Sequence, residues 1–494
     1  MHAFASSFHA WKSLERQEGI KVPHGLVFPL AAVEAIGKPH GLTMTAEEHA
    51  TDPVRGFDAI MISVLDSRCM LEAARHFREW RVPFRRRDRR PVGSWPLVWI
   101  GGQGVHNPRP LGDVGDLFVI GDGEEPIPEL LRLWELHGNT PGFLAAASTV
   151  PGVWVPEHHD PSEHTVVQSV TQDVSVTLRN DISVNHDGTR RIEIARGCRY
   201  KCTFCSLGWR TPVRENSAEQ IVAEIKRSPK RVHLQAGDAE SHSEIDVIRQ
   251  TLRAHGGFDQ GWTGRLDTLF ENPDQTIPGQ KRYAFGVEGV SFRLRQAVGK
   301  GYLTDERLIE DTCRFFDTLE GEGKGRAAWH VISGLPTENP REVLELAGVV
   351  TEINKRRTGK TARNLSLHWQ PFQPLPGTPM QWCAAGVGAR KQASLMKAFE
   401  GMAWCRLRQV GGRTDAAALI CSVLARCDER GADLLEAIAD RRVTPDEAAE
   451  IAGVGYGELD PDAPLPWDFV QQHYPRETLR RAYDVMMRRL TNEA

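Results

Sequence analysis

The sequence predicts an α/β protein with three structured parts. Up to about residue 150, short apolar stretches that end in glycine alternate with helical patterns, which is typical of a doubly wound, Rossmann-like parallel sheet. The alternation starts again at Arg190 and continues through a series of strand–helix units, which predicts a partial (β/α)6 barrel of the TIM type. Beyond Met380 the pattern becomes mostly helical. We therefore expect a sheet domain at 1–150, a linker at 151–189, a barrel at 190–379 and a helical C-terminal region at 380–494.

The elements of the first domain are predicted from apolar runs of the kind found in buried parallel strands. The run from Phe57 to Leu65 is continuous and apolar. Ligands of doubly wound sheets bind beyond the carboxyl ends of the strands, where glycine lets backbone approach them closely. Further strands are predicted at 25–30, 96–100 and 116–120, helices at 69–80 and 127–137, and strand-end glycines at Gly101, Gly102, Gly121 and Gly123.

The barrel is predicted from a second series of strands and helices. Ser217 and Gln220 form a capping-box pattern, which predicts the start of the first barrel helix. Thr444, followed by Pro445, predicts a helix start in the C-terminal region in the same way. The predicted barrel strands are 191–195, 231–236, 262–267, 283–289, 328–333 and 365–370.

Composition excludes several classes of protein. The 494 residues are too many for one core, and a hydrophobic fraction of 40% with 26% charged residues is ordinary for a globular protein. The first residues lack the basic and apolar regions of a signal peptide, and no apolar run approaches the roughly 18 residues of a membrane helix. Nine cysteines, an odd number, argue against a disulfide framework. We expect a cytoplasmic protein with no membrane partner.

The charge gives no global signature of nucleic-acid binding, because the formal net charge is -4. One local exception is the run from Arg85 to Arg90, which holds five arginines. A phosphate site and a solvated loop between a helix and a strand are the two interpretations. The run has no interleaved aromatic residues, so we favour the solvated loop.

Three cysteines follow the first barrel strand with the spacing C-x3-C-x2-C. Cys198, Cys202 and Cys205 are close enough in sequence to bind one iron–sulfur cluster. A cubane cluster has four irons, so three thiolates leave one iron open to another ligand. The alternatives are a zinc site or three unrelated thiols. Zinc normally needs a fourth ligand, and the first nearby candidate, His233, lies on a predicted core strand, so we favour the cluster.

The segment Gly197-Cys-Arg-Tyr-Lys-Cys-Thr-Phe-Cys205 resembles the signature of the radical S-adenosylmethionine (radical SAM) enzymes. The resemblance implies that SAM chelates the open iron of a 4Fe–4S cluster. An electron from the cluster then cleaves SAM to methionine and a 5′-deoxyadenosyl radical, which abstracts hydrogen from the substrate. Phe204 fits the same pattern, in which an aromatic residue flanks the adenine.

Further residues at predicted strand ends match segments of this family. Gly237, Asp238 and Glu240 follow the second barrel strand, where the family holds the SAM amino group. Arg265 lies on the third strand and would point toward the barrel mouth, where it could pair with the SAM carboxylate, with a surface salt bridge as the alternative. The resemblance also covers Gly286-Val-Glu-Gly-Val-Ser-Phe-Arg-Leu-Arg-Gln-Ala-Val-Gly-Lys300 and Gly334-Leu-Pro-Thr-Glu338. It implies that Glu288 binds the SAM ribose or amino group and that the Gly334 backbone lies beside adenine.

The first domain resembles the cobalamin-binding-type domain that precedes the barrel in one class of radical SAM proteins. The matching segments are Val98-Trp-Ile-Gly-Gly102 and Val119-Ile-Gly-Asp-Gly-Glu-Glu125. The base-off cobalamin motif D-x-H-x-x-G is absent from this chain. Because members of this class include proteins with and without the cofactor, the sequence leaves cobalamin open.

Two radical SAM functions follow from these features. Domain order favours cobalamin-dependent methyl transfer. The missing histidine favours a cobalamin-free isomerisation or rearrangement, for example of a modified nucleotide or a hypermodified phage DNA base. A non-catalytic iron–sulfur protein is a third, disfavoured hypothesis. The enzyme hypotheses imply a small-molecule or nucleotide substrate and an electron donor such as flavodoxin or ferredoxin.

Cys405, Cys421 and Cys427 lack cluster spacing, so we expect them to be buried packing residues.

Overall fold

The computed structural model describes residues 1–6, 28–46, 53–179, 189–259, 263–266, 282–318, 326–357, 364–386, 396–409 and 415–491. The chain divides into two compact units. Unit 1 comprises Met1–Asp187, Ile420–Tyr456 and Asp462–Pro475, and unit 2 comprises Gly188–Leu419, Gly457–Pro461 and Arg476–Ala494. The segment after residue 380, which the sequence predicts as one helical region, therefore contributes to both units.

The elements are numbered in chain order. The strands are β1 (His2–Ser6), β2 (Thr43–Ala46), β3 (Ala59–Ser63), β4 (Leu97–Gly101), β5 (Leu117–Val119), β6 (Val153–Trp154), β7 (Val166–Val167), β8 (Arg190–Glu193), β9 (Ala195–Arg196), β10 (Arg214–Glu215), β11 (Arg231–Gln235), β12 (Phe258–Asp259), β13 (Thr263–Gly264), β14 (Arg282–Glu288), β15 (Arg326–Ser333), β16 (Asn364–Pro371), β17 (Cys405–Gln409) and β18 (Val470–Gln471). The helices are α1 (Phe28–Gly37), α2 (Ser67–Met70), α3 (Ala73–Glu79), α4 (Pro126–His137), α5 (Pro141–Ala147), α6 (Ala218–Arg227), α7 (Ile245–Ala254), α8 (Phe292–Ala297), α9 (Asp305–Thr318), α10 (Glu342–Arg356), α11 (Asp415–Arg426), α12 (Gly431–Asp440), α13 (Pro445–Ala452) and α14 (Arg476–Thr491). None of these helices combines the length and the apolar character needed to cross a bilayer.

Unit 1 contains a six-stranded sheet in the order β2-β1-β3-β4-β5-β6. The strands are parallel except for β6, which pairs antiparallel with β5. The predicted strands at 57–65, 96–100 and 116–120 are confirmed. For residues 28–30 the predicted strand at 25–30 is wrong, because the helix α1 begins at Phe28. Residues 25–27 lie outside the described residues. The predicted helix at 69–80 is divided into α2 and α3.

Alternate residues of these strands enter two separate cores, as a doubly wound sheet requires. Ile60 and Ile62 of β3 pack on one face, together with residues of α3, α11, α12 and α13. Ala59 and Met61 pack on the other face, together with residues of α1, α4 and α5. The helices α11 to α13 thus complete the first core, although they follow the barrel in the sequence.

The basic run is part of the structure of unit 1 and is not a solvated loop. Arg89 and Asp116 form an ion pair in which both side chains are only 1% exposed. Asp116 also pairs with Arg90 at 2.9 Å and accepts a hydrogen bond from the backbone N–H of Val98 at 2.8 Å. Arg85 is 5% exposed and pairs with acidic residues of α12. The prediction of a solvated loop was wrong, because the carboxylates that pair with these arginines lie far away in the sequence and no local pattern reveals them.

Unit 2 contains two parallel sheets, β12-β11-β8 and β13-β14-β15-β16-β17. The alternation of parallel strands with helices confirms the predicted barrel class. β17 was not predicted, because Cys405–Gln409 is short and its alternation of arginine with apolar residues is that of an edge strand. In the predicted third strand, Thr263–Gly264 is extended, whereas Trp262 and Asp267 lie outside the described residues.

Local signals in the sequence are reproduced at both predicted helix starts. Ser217 and Gln220 form the two hydrogen bonds of a capping box at the start of α6. Thr444 and Glu447 form another at the start of α13. The cysteines predicted to be packing residues, Cys405, Cys421 and Cys427, are all buried.

Candidate active site

The cysteine loop connects β9 to β10, and glycines close it tightly. Gly197 has φ of +83°, and a Cβ at this position would lie 2.5 Å from the carbonyl oxygen of Pro212. At Gly208 a Cβ would lie 2.1 Å from the carbonyl oxygen of Tyr200. Neither distance is compatible with a side chain, so the shape of the loop depends on glycine at both positions.

Hydrogen bonds fix the middle of the loop. The indole N–H of Trp209 donates to the carbonyl oxygen of Cys202 at 3.0 Å, and the Cys205 N–H donates to the same oxygen at 3.1 Å. The Lys201 ammonium donates to the carbonyl oxygen of Gly208. These bonds hold the backbone between the second and third cysteines in one conformation.

The three thiols lie in surroundings that disfavour charge. Burial raises the pKa of Cys198 and Cys202, and it raises the pKa of Cys205 to about 12. Cys198 and Cys202 are also close enough to Cys205 to raise its pKa further. Metal-free thiols in such a place remain protonated, whereas a coordinating metal deprotonates a thiol.

The donor set fits an iron–sulfur cluster better than a single metal ion. Among the described residues, no three His, Cys, Asp or Glu side chains form a group that could hold one metal ion. A structural zinc ion needs four ligands that converge on one point. A cubane presents separate irons to separate thiolates, so three thiols on one loop can bind three of its irons and leave the fourth open to another ligand.

The turn after β11 packs directly against the cysteine loop. A Cβ at Gly237 would lie 2.6 Å from the carbonyl oxygen of Gly197 and 3.0 Å from the Cβ of Cys198. Asp238 is buried, and its charge contributes to the raised pKa of Cys198. The structure therefore brings both predicted residues beside the first thiol.

Glu240, in the same turn, has a different environment. Its carboxylate forms an ion pair with Arg249 of α7, and the two side chains are 1% and 3% exposed. A carboxylate that is engaged in a buried ion pair is costly to free. The ion pair with Arg249 opposes the predicted contact of Glu240 with the SAM amino group, which stays a prediction.

Glu288 ends β14 in a strained conformation. Its φ is +67°, and the pairing of β14 with β15 is irregular between Gly286 and Glu288. A Cβ at Gly286 would lie 2.5 Å from the Glu288 Oε1 atom and 3.3 Å from the Lys300 Nζ atom. Both charged groups thus share the space that a side chain at Gly286 would fill.

The charges of Glu288 and Lys300 influence each other and the cysteine loop. Burial raises the pKa of Glu288 to about 7, and Lys300 opposes this rise. Burial acts to lower the pKa of Lys300, but Cys202, Tyr302 and Glu288 raise it above its ordinary value. Sequence reasoning assigned no role to Lys300, although this residue ends the stretch from Gly286 that resembles the family.

Arg265 contacts two tyrosine rings. Its guanidinium carbon is 3.9 Å from the ring centroid of Tyr200 and 3.5 Å from that of Tyr302. Both distances are well within the range of cation–π contacts. Tyr200 belongs to the cysteine loop, so Arg265 contacts that loop through an aromatic ring. Neither role predicted for Arg265, a pair with the SAM carboxylate or a surface salt bridge, includes this contact.

The turn after β15 holds Gly334 in place. Gly334 has φ of +82°, and its N–H donates to the Glu338 carboxylate at 2.8 Å. The N–H of Leu335 donates to the same oxygen at 3.1 Å. Glu338 therefore holds the predicted adenine turn in its conformation, a role that the sequence motif alone does not reveal.

Phe204 of the cysteine loop packs against the hydrophobic core of unit 2.

The predicted ligand-binding glycines of unit 1 pack mostly against the protein itself. A Cβ at Gly102 would lie 2.5 Å from the carbonyl oxygen of Val64, and one at Gly121 would lie 2.1 Å from that of Ser169. At Gly101 and Gly123 the nearest atoms to a Cβ would be 3.4 Å and 3.3 Å away, so these two positions are less tightly packed. Close packing of the chain explains glycine at Gly102 and Gly121, so these two glycines are no argument for a bound cobalamin.

Two family models match the chain. The model described as radical SAM proteins, N-terminal, matches residues 15–156, and the model of the radical SAM superfamily matches residues 192–350. No curated protein sequence matches the chain significantly.

Two solved structures of the radical SAM methyltransferase TsrM from Kitasatospora setae are similar to the chain. The structure with cobalamin and a 4Fe–4S cluster bound has a TM-score of 0.53 at 13% identity, and the match covers 100% of this chain and 99% of that chain. The structure with tryptophan substrate and the SAM analogue aza-SAM has a TM-score of 0.49 at 14% identity, with coverage of 77% and 75%.

At these identities the structural likeness concerns the fold, and the family models carry the assignment. They match both predicted structured parts that precede the C-terminal region, and the second begins directly before the cysteine loop. The chain belongs to the radical SAM superfamily.

Proposed function

We propose that this enzyme holds a 4Fe–4S cluster through Cys198, Cys202 and Cys205 and uses it to cleave SAM reductively. The observation that supports this most directly is the closed loop of three thiols, against which the glycine turn at Gly237 packs at backbone distance. When bound, the cluster supplies the electron that converts SAM to methionine and a 5′-deoxyadenosyl radical.

In this proposal, residues around the loop bind and orient SAM. Gly237 and Asp238 lie beside Cys198, where a carboxylate would accept a hydrogen bond from the SAM amino group. Glu288, paired electrostatically with Lys300, would accept one from the ribose or the amino group. The backbone at Gly334, held by Glu338, would lie beside adenine, and Phe204 would flank it.

Anaerobic reconstitution with iron and sulfide tests the proposal. Wild-type protein should bind about four irons per chain and release 5′-deoxyadenosine when it is given SAM and a reductant such as reduced flavodoxin or ferredoxin. Each of Cys198→Ala, Cys202→Ala and Cys205→Ala should abolish both properties. Cys313→Ala is the matched control, because this cysteine lies on α9 of the same unit, outside the loop. A full cluster in the three loop variants would contradict the proposal.

A second candidate is methyl transfer that depends on cobalamin. It is supported by the likeness of the whole chain to a TsrM structure that contains cobalamin and a 4Fe–4S cluster. The alternative is a rearrangement of a modified nucleotide or phage DNA base without cobalamin, which the absence of D-x-H-x-x-G favours.

Purification in the presence of hydroxocobalamin separates these candidates. Methyl transfer requires stoichiometric cobalamin, visible by its absorption spectrum, and a methylated product. Absence of uptake by protein that still cleaves SAM would contradict the methyl-transfer candidate and leave the rearrangement.

A further inference from the structure

The inner face of the five-stranded sheet in unit 2 differs from the packed interior of an ordinary barrel. Alternate residues of β14, β15 and β16 belong to the hydrophobic core, for example Phe285, Trp329 and Leu367. Successive side chains of a strand point to opposite faces, so the residues between them lie on the inner face. In TIM barrels this face is normally filled by bulky branched residues.

Polar residues occupy this inner face in a row across neighbouring strands. His330 of β15 pairs in register with His368 of β16, and His368 pairs with Arg408 of β17. Their neighbour Leu407 packs on the hydrophobic core, which places Arg408 on the opposite, inner face. The row thus carries two imidazoles and a guanidinium on three adjacent strands.

The same row continues to the charged pair beside the cysteine loop. Gly286 of β14 pairs in register with His330. The Glu288 carboxylate and the Lys300 ammonium lie near the position that a side chain at Gly286 would fill. We call Lys300, His330, His368 and Arg408 the inner polar row.

All four residues of the inner polar row carry hydrogen-bond donors, and three of them are accessible, whereas Lys300 is buried. The ring centroids of His330 and His368 are 5.3 Å apart in an edge-to-face arrangement, and both side chains are part-exposed. Arg408 is exposed. Among the described inner-face residues of β14 to β17, Glu288 is the only acid. Such an arrangement is complementary to a negatively charged group.

We infer that the inner polar row binds an anionic group of the substrate, either a carboxylate or a phosphate. Its place extends from the Glu288–Lys300 pair near Cys202 to the edge strand β17, so a substrate anchored at Arg408 would project toward the SAM site. Binding of an anion by this row is independent of the proposed function. The further step, that the anion belongs to the substrate, rests on the proposed function.

Anion binding to the reconstituted enzyme tests the inference without knowledge of the substrate. Saturating SAM is present throughout, so that an added carboxylate does not compete for the site of the SAM carboxylate. Inorganic phosphate and acetate are titrated separately at constant ionic strength, with chloride as the reference, and the midpoint of thermal unfolding is followed. Arg408→Gln and His368→Gln should each weaken anion binding about tenfold.

The control variant is Arg326→Gln. Arg326 is an exposed arginine at the amino end of β15, whereas Gly334 follows the carboxyl end of this strand. It should bind the anions as the wild type does. Binding of phosphate alone indicates a phosphorylated substrate, and binding of acetate alone indicates a carboxylate substrate; both outcomes support the inference. No binding of either anion beyond chloride, or equal binding by all four proteins, would overturn it.

Measurements of SAM cleavage keep this result separate from the proposed function. Arg408→Gln and His368→Gln should retain the cluster and should still form 5′-deoxyadenosine in the absence of substrate. If the wild type binds the anions but does not cleave SAM, the proposed function fails while the anion site remains. If it cleaves SAM but binds no anion, only the present inference fails.

Discussion

The guanidinium of Arg265 lies over the ring of Tyr200, with its central carbon 3.9 Å from the ring centroid. Tyr200 stands between the first and second cysteines of the loop, and Arg265 directly follows β13. The contact therefore links the cysteine loop to a neighbouring strand of the barrel. The guanidinium carbon is also 3.5 Å from the ring centroid of Tyr302, so the charge contacts two aromatic rings.

Replacing Arg265 should loosen the cysteine loop. Each cation–π contact is worth about 0.5–2 kcal/mol, so Arg265→Ala should increase the rate of iron loss to a chelator several-fold. Arg265→Lys keeps the charge but not the planar stacking, and we expect an intermediate rate. The measurement is the release of iron from reconstituted protein under anaerobic conditions. If Arg265→Ala loses iron at the wild-type rate, the two aromatic contacts do not support the loop.

Gly237→Ala should prevent the cysteine loop from closing correctly. The new Cβ would lie 2.6 Å from the carbonyl oxygen of Gly197, so backbone must move beside Cys198. We expect the variant to bind less than half of the wild-type iron while it keeps its secondary structure in circular dichroism. Gly348→Ala is the control, since a Cβ at this helical position meets no atom within 4 Å. It should bind iron normally and gain about 0.5–1 kcal/mol of stability.

Glu288 should make the metal-free protein less stable as the pH rises. Burial raises its folded pKa from 4.5 to about 7, so the folded state binds more protons than the unfolded state between these values. The favourable contribution is complete below pH 4.5 and is lost as the pH rises to 7. Relative to Glu288→Gln, the wild type should lose at most about 3 kcal/mol across this interval. The residue as a whole is part-exposed, so this value is an upper limit.

Urea unfolding of the metal-free wild type and Glu288→Gln at several pH values measures this difference. Both proteins share all other titrating groups, so their difference reports the ionisation of Glu288 together with its coupling to Lys300 and Cys202. A difference in unfolding free energy that stays constant between pH 4.5 and 7 would show that the pKa of Glu288 is not raised.

Asp116→Ala should destabilise unit 1 by about 3–5 kcal/mol, because it leaves the Arg89 guanidinium buried without its partner. The matched control is Arg87→Ala, whose side chain belongs to the same basic run but is 78% exposed. It should change the unfolding free energy by less than about 0.5 kcal/mol. Chemical denaturation followed by circular dichroism distinguishes the two. Equal effects of both changes would contradict a structural role for the buried pair.

The cysteine loop and the strand order were predictable because their signals are local. Cys198, Cys202 and Cys205 lie within eight residues of one another, and apolar runs with glycine ends mark the strands. The capping boxes at Ser217 and Thr444 are also local, and both are present. Patterns of this kind depend on backbone geometry over a few residues, which the sequence displays directly.

The remaining features depend on residues that only folding brings together. Arg85 is paired with acids of α12 more than 300 positions away, and Glu240 is sequestered by Arg249 of a following helix. β17 needs β16 beside it, since an isolated strand has no ladder to join. No short-range pattern encodes which distant group will lie beside a given charge.

The sequence by itself determined the family signature, the three thiols and the alternation of strands with helices, because each follows from neighbouring residues. Only the tertiary structure decided that Arg265 contacts the rings of Tyr200 and Tyr302, that Lys300 shares a space with Glu288, and that His330, His368 and Arg408 form one row. The physical reason is that packing and electrostatic interactions act through space, and the chain segments that interact here are separated by tens to hundreds of residues.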